Sequence, residues 1–274
     1  MKRTRLALVV GLIALVAPSL SHPAEAGNVR PGNDIIGGGP AAPGEFPYMA
    51  AILNERLGGN DYNKQFCGGS LIAADWVLTA AHCVEDAREG DLAVAVGRTL
   101  LNSTQGQRRT VADVFVHPQY GSPTGNAHDA ALLRLSTPVT TIEPITLATA
   151  TDDALEDPRQ NPSLTVIGWG TLRAGKPLYP NELYKVDVPV VSDAACRSAY
   201  GASMDPATEV CAGAAGIDSC YGDSGGPLFE DGSSDIQVGI VSWGNGCAKK
   251  RFPGVYAEVN NPEIRTWING LAKV

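Results

Sequence analysis

The chain is short of the residues that hold metals. Neither a Cys-x-x-Cys pair nor a His-Glu-x-x-His run occurs in its 274 residues, and histidines number four, so a zinc site finds no motif support. Repeats and low-complexity tracts are missing as well. Positive charge is scarce: 21 Lys and Arg stand against 29 Asp and Glu, a formal net charge of -8. Such a field repels phosphate backbones, which argues against nucleic acid as a partner. No apolar run beyond residue 16 approaches the roughly 20 residues that a membrane span needs.

What is present points to a packed, turn-rich molecule. Hydrophobic residues make up 44% of the chain, enough for a real core, and 31 Gly and 19 Pro favour turns over long helices. At the N-terminus, Lys2, Arg3 and Arg5 precede the apolar stretch 6–16, which Pro18, Ser19, Ser21 and His22 interrupt, and Ala24-Glu25-Ala26 follows as a small-x-small site. Residues 1–26 therefore read as a signal peptide, the chain as a secreted, extracellular protein without membrane attachment once cut. Without residues 1–34 the remainder carries 17 basic and 27 acidic side chains.

In an oxidising compartment the six cysteines read as disulfides. Six allow 15 connectivities, and along the chain they fall into neighbouring pairs: Cys67 with Cys83, Cys196 with Cys211, Cys220 with Cys247. Strand patterns run through 92–97, 109–116, 164–169, 184–190, 236–243 and 255–259, with Val186, Val188 and Val190 alternating clearly. These short strands suggest antiparallel barrels or a sandwich. A helix closes the chain, capped by Asn261, with Pro262 in its first turn and Ile264, Trp267, Ile268 and Leu271 on one face. The polar stretch 151–162 reads as a connection between two strand-rich halves or as a long surface loop.

Chemistry concentrates in Asp218-Ser-Cys-Tyr-Gly-Asp-Ser-Gly-Gly-Pro227. Gly222 to Gly226 satisfies Gly-x-Ser-x-Gly, but an α/β-hydrolase elbow places its histidine after the serine, and His22, His82, His117 and His128 all precede Ser224. The order aspartate, histidine, serine is formally open through Asp61 or Asp75, neither of which sits in an apolar strand context. The order histidine, aspartate, serine has a candidate at each place. His82 lies among small residues beside Cys83, and Asp129 enters the apolar run Ala130-Ala131-Leu132-Leu133, where a carboxylate needs a donor. His117 reads as a loop residue, and His128, if its segment is extended, points away from Asp129.

Residues 78–83, 129–133, 218–227 and 240–244 together resemble a trypsin-like serine protease of the chymotrypsin family, and the likeness runs from Ile35 to the final helix. The cysteine number and the run 192–200 resemble bacterial, actinomycete-type secreted trypsins. The resemblance implies an all-β fold of two antiparallel six-stranded β-barrels with a C-terminal α-helix, the first barrel over about 35–150 and the second with the helix over about 151–274. It implies Ser224 as nucleophile, His82 as base and acid, Asp129 as its orienting partner, and the N–H groups of Gly222 and Ser224 as the oxyanion hole.

The same resemblance puts Asp218 at the floor of a substrate pocket with Ser219, Ser242, Trp243, Gly244 and Gly254 around it. Cleavage after Arg or Lys of protein or peptide substrates follows, with protein protease inhibitors as further partners and a monomer as the working unit. Asp223 is the partner of a new amino terminus at Ile35, which makes 27–34 an activation propeptide and the protein a zymogen. Here the chain departs from animal trypsinogens, since Asp34 precedes Ile35 and self-activation is not expected. Asp193 and Glu258 resemble acidic calcium ligands of some bacterial trypsins, but a hard cation wants six or more oxygens; no cofactor is required. Two competing functions stand beside the broad protease. Tyr221 at the pocket rim and Lys249-Lys250-Arg251 suit a narrow-specificity processing enzyme, and loss of activity on the same scaffold would leave a binding protein.

Overall fold

The computed structural model describes residues 35–232 and 234–274. The signal peptide read at 1–26 and the activation peptide read at 27–34, with Asp34, lie outside the described residues. Among them, no helix is long and apolar enough to cross a membrane.

Two six-stranded antiparallel barrels form the body. The first closes in the order β2 (Met49–Asn54), β3 (Gln65–Ala73), β4 (Trp76–Thr79), β7 (Ala131–Leu135), β6 (Gln107–Val116), β5 (Leu92–Val96). The second is built from β9 (Ser163–Gly168), β10 (Tyr184–Val191), β11 (Glu209–Ala212), β14 (Gly254–Glu258), β13 (Ile236–Trp243) and β12 (Pro227–Glu230), and closes where β12 and β10 both pair with β9. The valine alternation in β10 works as the sequence suggests: Val186, Val188 and Val190 are buried while Asp187 faces out. A period of two turns one face of the strand into the barrel core, and each buried valine contributes roughly 1.5 to 3 kcal/mol.

Two segments of the N-terminal half attach to the second barrel. β1 (Gly39–Pro40) pairs with β10, and β8 (Thr146–Leu147) runs parallel to β13. The stretch 151–162 forms a short 3-10 turn at Asp153–Glu156 and then enters β9. Three disulfides join Cys67 to Cys83, Cys196 to Cys211 and Cys220 to Cys247.

Three helices were not legible as periodic segments: α1 (Asp61–Lys64), α2 (Ala81–Val84) and α3 (Asp193–Tyr200). The first two are single turns, too short for a 3.6-residue pattern to show. α4 (Pro262–Ala272) is the expected closing helix. Asn261 Oδ1 accepts the N–H groups of Glu263 and Ile264 at 2.9 and 3.0 Å. This satisfies two donors that a helix start leaves without partners. Its buried Ile264 and Ile268 belong to the same continuous apolar cluster as the first barrel.

Candidate active site

His82 sits on α2, directly after β4, where the fully buried Ala80 and Ala81 let the chain turn against its neighbours. The disulfide from Cys83 ties this turn to β3. Asp129, 1% exposed, lies just before β7 and holds the histidine twice. Its Oδ1 accepts the His82 backbone N–H at 2.9 Å, and its Oδ2 lies 2.7 Å from Nδ1. A buried carboxylate accepts there, so the ring proton sits on Nδ1 and Nε2 keeps its lone pair. Burial pushes the His82 pKa down, but the hydrogen bond and charge of Asp129, with Glu85, outweigh it and leave the pKa above its ordinary 6.5.

Ser224 enters from the other barrel, in the turn between the Cys220 disulfide and β12. The first barrel grips this turn. Ser224 carbonyl accepts the Gly68 N–H at 2.7 Å, and Thr79 Oγ1 donates to the Gly68 carbonyl at 2.7 Å. The fit is close, since a Cβ on Gly225, at φ +81°, would fall 2.2 Å from Thr79 Oγ1. Ser224 and His82 line one cavity of about 380 Å³ together with Asp218, Ser242, Trp243 and Gly254. Ser224 Oγ and His82 Nε2 make no mutual hydrogen bond; Nε2 lies 3.7 Å from Cys83 Sγ. Such contacts commonly tighten only when substrate is bound.

Gly222 has φ +96°, a left-handed conformation that glycine adopts without strain. The Gln65 side chain donates to its carbonyl at 3.0 Å and so fixes that peptide. Neither Gly222 N–H nor Ser224 N–H donates to any described residue. Beyond Gly222 lies a second cavity of about 380 Å³ walled by Tyr62, Phe66, Leu101, Tyr179 and Pro180. Tyr62 Oη donates to the Tyr179 carbonyl at 3.0 Å across it.

Asp218, which also lines the first cavity, is 2% exposed. Its Oδ2 accepts the Ala248 N–H at 2.8 Å, whereas its Oδ1 is buried without a hydrogen-bond partner among the described residues. Burial, with the nearby charge of Asp223, pushes this carboxyl up to about 7 against the backbone N–H groups that oppose the rise. Gly254 is required here, because a Cβ would stand 2.7 Å from Asp218 Oδ1 and cover it.

Asp223 is buried completely. It accepts the N–H groups of Gly170 at 2.7 Å and Cys220 at 2.9 Å, and burial pushes it up to about 7. Side chains at Gly168 or Gly170 would strike it, at 2.1 and 2.4 Å. No ion pair reaches Asp223 among the described residues. Ile35 is buried completely too, and the Ile36 carbonyl accepts the Asp218 N–H at 3.0 Å, so residues 35 and 36 pack beside the pocket.

The structure assigns contacts that the sequence did not reveal. Ser242 Oγ donates to Asp129 Oδ2 at 2.5 Å, a contact to the catalytic pair where the sequence placed Ser242 only at the substrate pocket. Trp243 Nε1 donates to the buried Glu209 carboxylate at 2.6 Å, and Tyr200 packs edge-on against the indole. His117 and His128, read as a loop residue and as a residue pointing away on an extended segment, are both 3% exposed and stack on one another. His128 is not extended; its φ is +56°.

Asp193 and Glu258 lie near Asp153 and Glu156. Burial, then the charges of Asp193, Asp153 and Asp205, push Glu258 up to about 7, and burial with Glu258 and Asp153 pushes Glu156 up to about 9. Glu156 Oε1 is buried without a partner among the described residues. Among the described residues, however, no three carboxylate oxygens converge closely enough to form a ligand set; the one such cluster, Cys67, His82 and Cys83, contains a disulfide.

Residues 35–268 match the family model described as Trypsin. A trypsin-like protease of Streptomyces glaucescens is 40% identical over 93% of this chain and 88% of its own length. Trypsin of Saccharopolyspora erythraea is 39% identical over 82% of this chain and 93% of its own, and Hypodermin-B of Hypoderma lineatum 39% over 87% and 88%. With two closed barrels, a histidine bound to a buried aspartate and a serine on the same cavity, the chain belongs to the trypsin family and is a serine endopeptidase acting on protein substrates without a cofactor.

Proposed function

We propose that the protein is a secreted endopeptidase that hydrolyses peptide bonds after Arg or Lys and is made as a zymogen. The observation that carries the specificity is Asp218 Oδ1, a buried carboxylate oxygen without a donor in the cavity that holds His82 and Ser224. An uncompensated buried charge is costly, and the long cation of an arginine or lysine side chain supplies both the charge and the missing hydrogen bond.

With that side chain in the cavity, the scissile carbonyl lies at Ser224. Ser224 Oγ attacks the carbonyl carbon while its proton passes to His82 Nε2, which Asp129 has left free. The carbonyl oxygen becomes an anion facing the N–H groups of Gly222 and Ser224; one such donor is worth about 3 kcal/mol in the transition state. His82 returns the proton to the departing amine, leaving an acyl group on Ser224. Water then repeats the sequence, giving its proton to His82 and releasing the acid.

Cutting before Ile35 makes the enzyme competent. The new ammonium takes the place beside Asp223, whose buried carboxylate otherwise has only backbone donors among the described residues. Breaking a buried pair of this kind costs roughly 3 to 5 kcal/mol, enough to keep the uncut chain mostly inactive. Because Asp34 precedes Ile35, an enzyme that cleaves after Arg or Lys does not cut that bond directly; another protease, or cleavage after Arg30 followed by trimming, exposes Ile35. Three disulfides suit an extracellular location.

The test is N-terminal sequencing of the exported protein, followed by kinetics on arginyl, lysyl and phenylalanyl amides with the parent enzyme and Ser224→Ala. Hydrolysis of the phenylalanyl amide at rates equal to the arginyl one would sink the assignment. Tyr221, 61% exposed at the cavity rim, favours a narrower second reading in which the rim restricts access. Slow turnover of all three amides, together with fast cleavage of one protein at one bond, would identify it.

A further inference from the structure

His128 precedes Asp129 directly and occupies a left-handed backbone conformation, φ +56°, that costs a non-glycine residue energy and persists only where surroundings hold it. What holds it is a set of contacts to both ring nitrogens. Nδ1 lies 2.8 Å from the Ser122 carbonyl, and Nε2 lies 2.7 Å from Glu263 Oε2 on α4. A backbone carbonyl can only accept. Glu263 stands in the first turn of α4, where the helix dipole favours an ionised carboxylate, and an ionised carboxylate also only accepts. Each ring nitrogen therefore faces an acceptor, which is the geometry an imidazolium satisfies.

The stacked partner carries no second charge. His117 faces His128 with ring centroids 4.9 Å apart and planes 1° from parallel, and its Nδ1 accepts the Gln119 N–H at 3.3 Å. Burial, then the charge of His128, holds His117 down to about 4. Trp267, one turn after Glu263, packs edge-on against His117 at 5.0 Å. One helix face thus grips both rings. The remaining titratable neighbours are Asp129, whose carboxylate is engaged by His82 and Ser242, and Tyr120, whose hydroxyl burial and the charge of Asp129 raise to about 12.

We propose that His128, clamped as an imidazolium between Ser122 and Glu263, is a positioning residue that sets the aim of Asp129 on His82 and so couples the catalytic pair to the C-terminal helix. The coupling is mechanical. The Ala130 N–H closes back on the His128 carbonyl at 2.7 Å, and the His117 N–H donates to the Ala130 carbonyl at 3.0 Å, so the backbone on both sides of Asp129 is tied to the backbone of the two residues that carry the rings. This rests on the catalytic role proposed for Asp129. The substrate pocket at Asp218 is no part of the clamp, and that separates turnover from binding.

The variants are His128→Asn, whose side chain tolerates the same backbone angle, Glu263→Gln, on a side chain that is 56% exposed and leaves the core untouched, and the pair combined. Each is tested as protein processed to Ile35, against arginyl amide, with the parent enzyme first; an inactive parent would fault the proposed function and not the clamp, which 15N NMR then decides. His128→Asn is expected to lower kcat about tenfold, as slight misplacement of a reacting group does, with KM unchanged. Glu263→Gln gives a smaller fall in the same direction, the acid limb of the rate profile moves down in both, and the double variant is no slower than His128→Asn. In the 15N spectrum of the parent near about pH 6, both nitrogens of His128 are protonated. A lowered thermal midpoint with kcat and the acid limb intact, a rise in KM alone, additive losses in the double variant, or a singly protonated His128 in that spectrum would each overturn the proposal.

Discussion

Ser242 Oγ donates to Asp129 Oδ2, the same carboxylate oxygen that binds His82 Nδ1. Residues from opposite barrels therefore share one oxygen, and the charge that Asp129 presents to His82 is set partly from the second barrel. With His82 above its ordinary pKa, activity should fall on the acid side with a midpoint above about 6.5. Asp129→Asn removes the two largest contributions that raise His82 and leaves burial opposed by Glu85 alone, so the midpoint should drop below that value while kcat falls by about 10⁴, the loss known for this family. Ser242→Ala should move the midpoint the other way, because the carboxylate then keeps more of its charge for the ring. Rate profiles of the three proteins on one amide substrate check all three directions.

Asp218 and its orphaned oxygen give a separate pH effect. The carboxyl is about 7 in the free enzyme and must be ionised to hold a cation, so KM for arginyl amide should rise as pH falls below 7. A phenylalanyl amide, which needs no anion, should show no such rise. Asp218→Ser should lower kcat/KM for arginyl amide by roughly 10² to 10³, the equivalent of about 3 to 4 kcal/mol for a lost buried partner. Kinetics of both substrates across pH 5 to 9 separate this effect from the His82 limb.

Much of the barrel architecture was legible because it is local. Val186, Val188 and Val190 alternate, and a strand with one buried face has to read that way. Asn261 and Pro262 announced α4 for the same reason: capping is an affair of four consecutive residues. The contacts that tune the site are of another kind. Glu263 meets His128 across 135 positions and Ser242 meets Asp129 across 113, and nothing in either neighbourhood marks the partner. Gly168 and Gly170 are the intermediate case. Two glycines around Trp169 signal a close approach, but only the fold shows that Asp223 fills the space.

Glu156 and Glu258 test the reading of the acidic cluster. Both carboxyls lie above their ordinary range because burial and neighbouring carboxylates disfavour ionisation. An acid with a raised folded pKa binds its proton more tightly in the fold, so stability falls as pH climbs from the unfolded value of about 4.3 towards the folded ones. Glu156→Gln should therefore raise the thermal midpoint at pH 8 and change it little at pH 4. A chelator should leave the midpoint of the parent where it was, since the carboxylates do not converge as a ligand set.

The last prediction concerns Asp223 before and after the cut at Ile35. In the uncut chain the carboxylate has two backbone donors and no cation among the described residues, and burial holds it near about 7. Between the unfolded value of about 3.9 and 7, rising pH should cost the uncut protein stability, up to about 4 kcal/mol for a fully buried group. In the proposed activation the cut places an ammonium beside the carboxylate, which should abolish that loss. The amine behaves oppositely: pairing raises its pKa above the unfolded value of about 8, so its contribution is whole below that value and vanishes as pH rises through the folded one. Denaturant unfolding of Ser224→Ala, uncut and processed, decides the matter without self-digestion. The two forms should be closest in stability near pH 4, where Asp223 keeps its proton in the uncut chain, and furthest apart near pH 8, the processed form being the more stable. Equal pH slopes in the two forms would mean that Asp223 does not receive the new terminus.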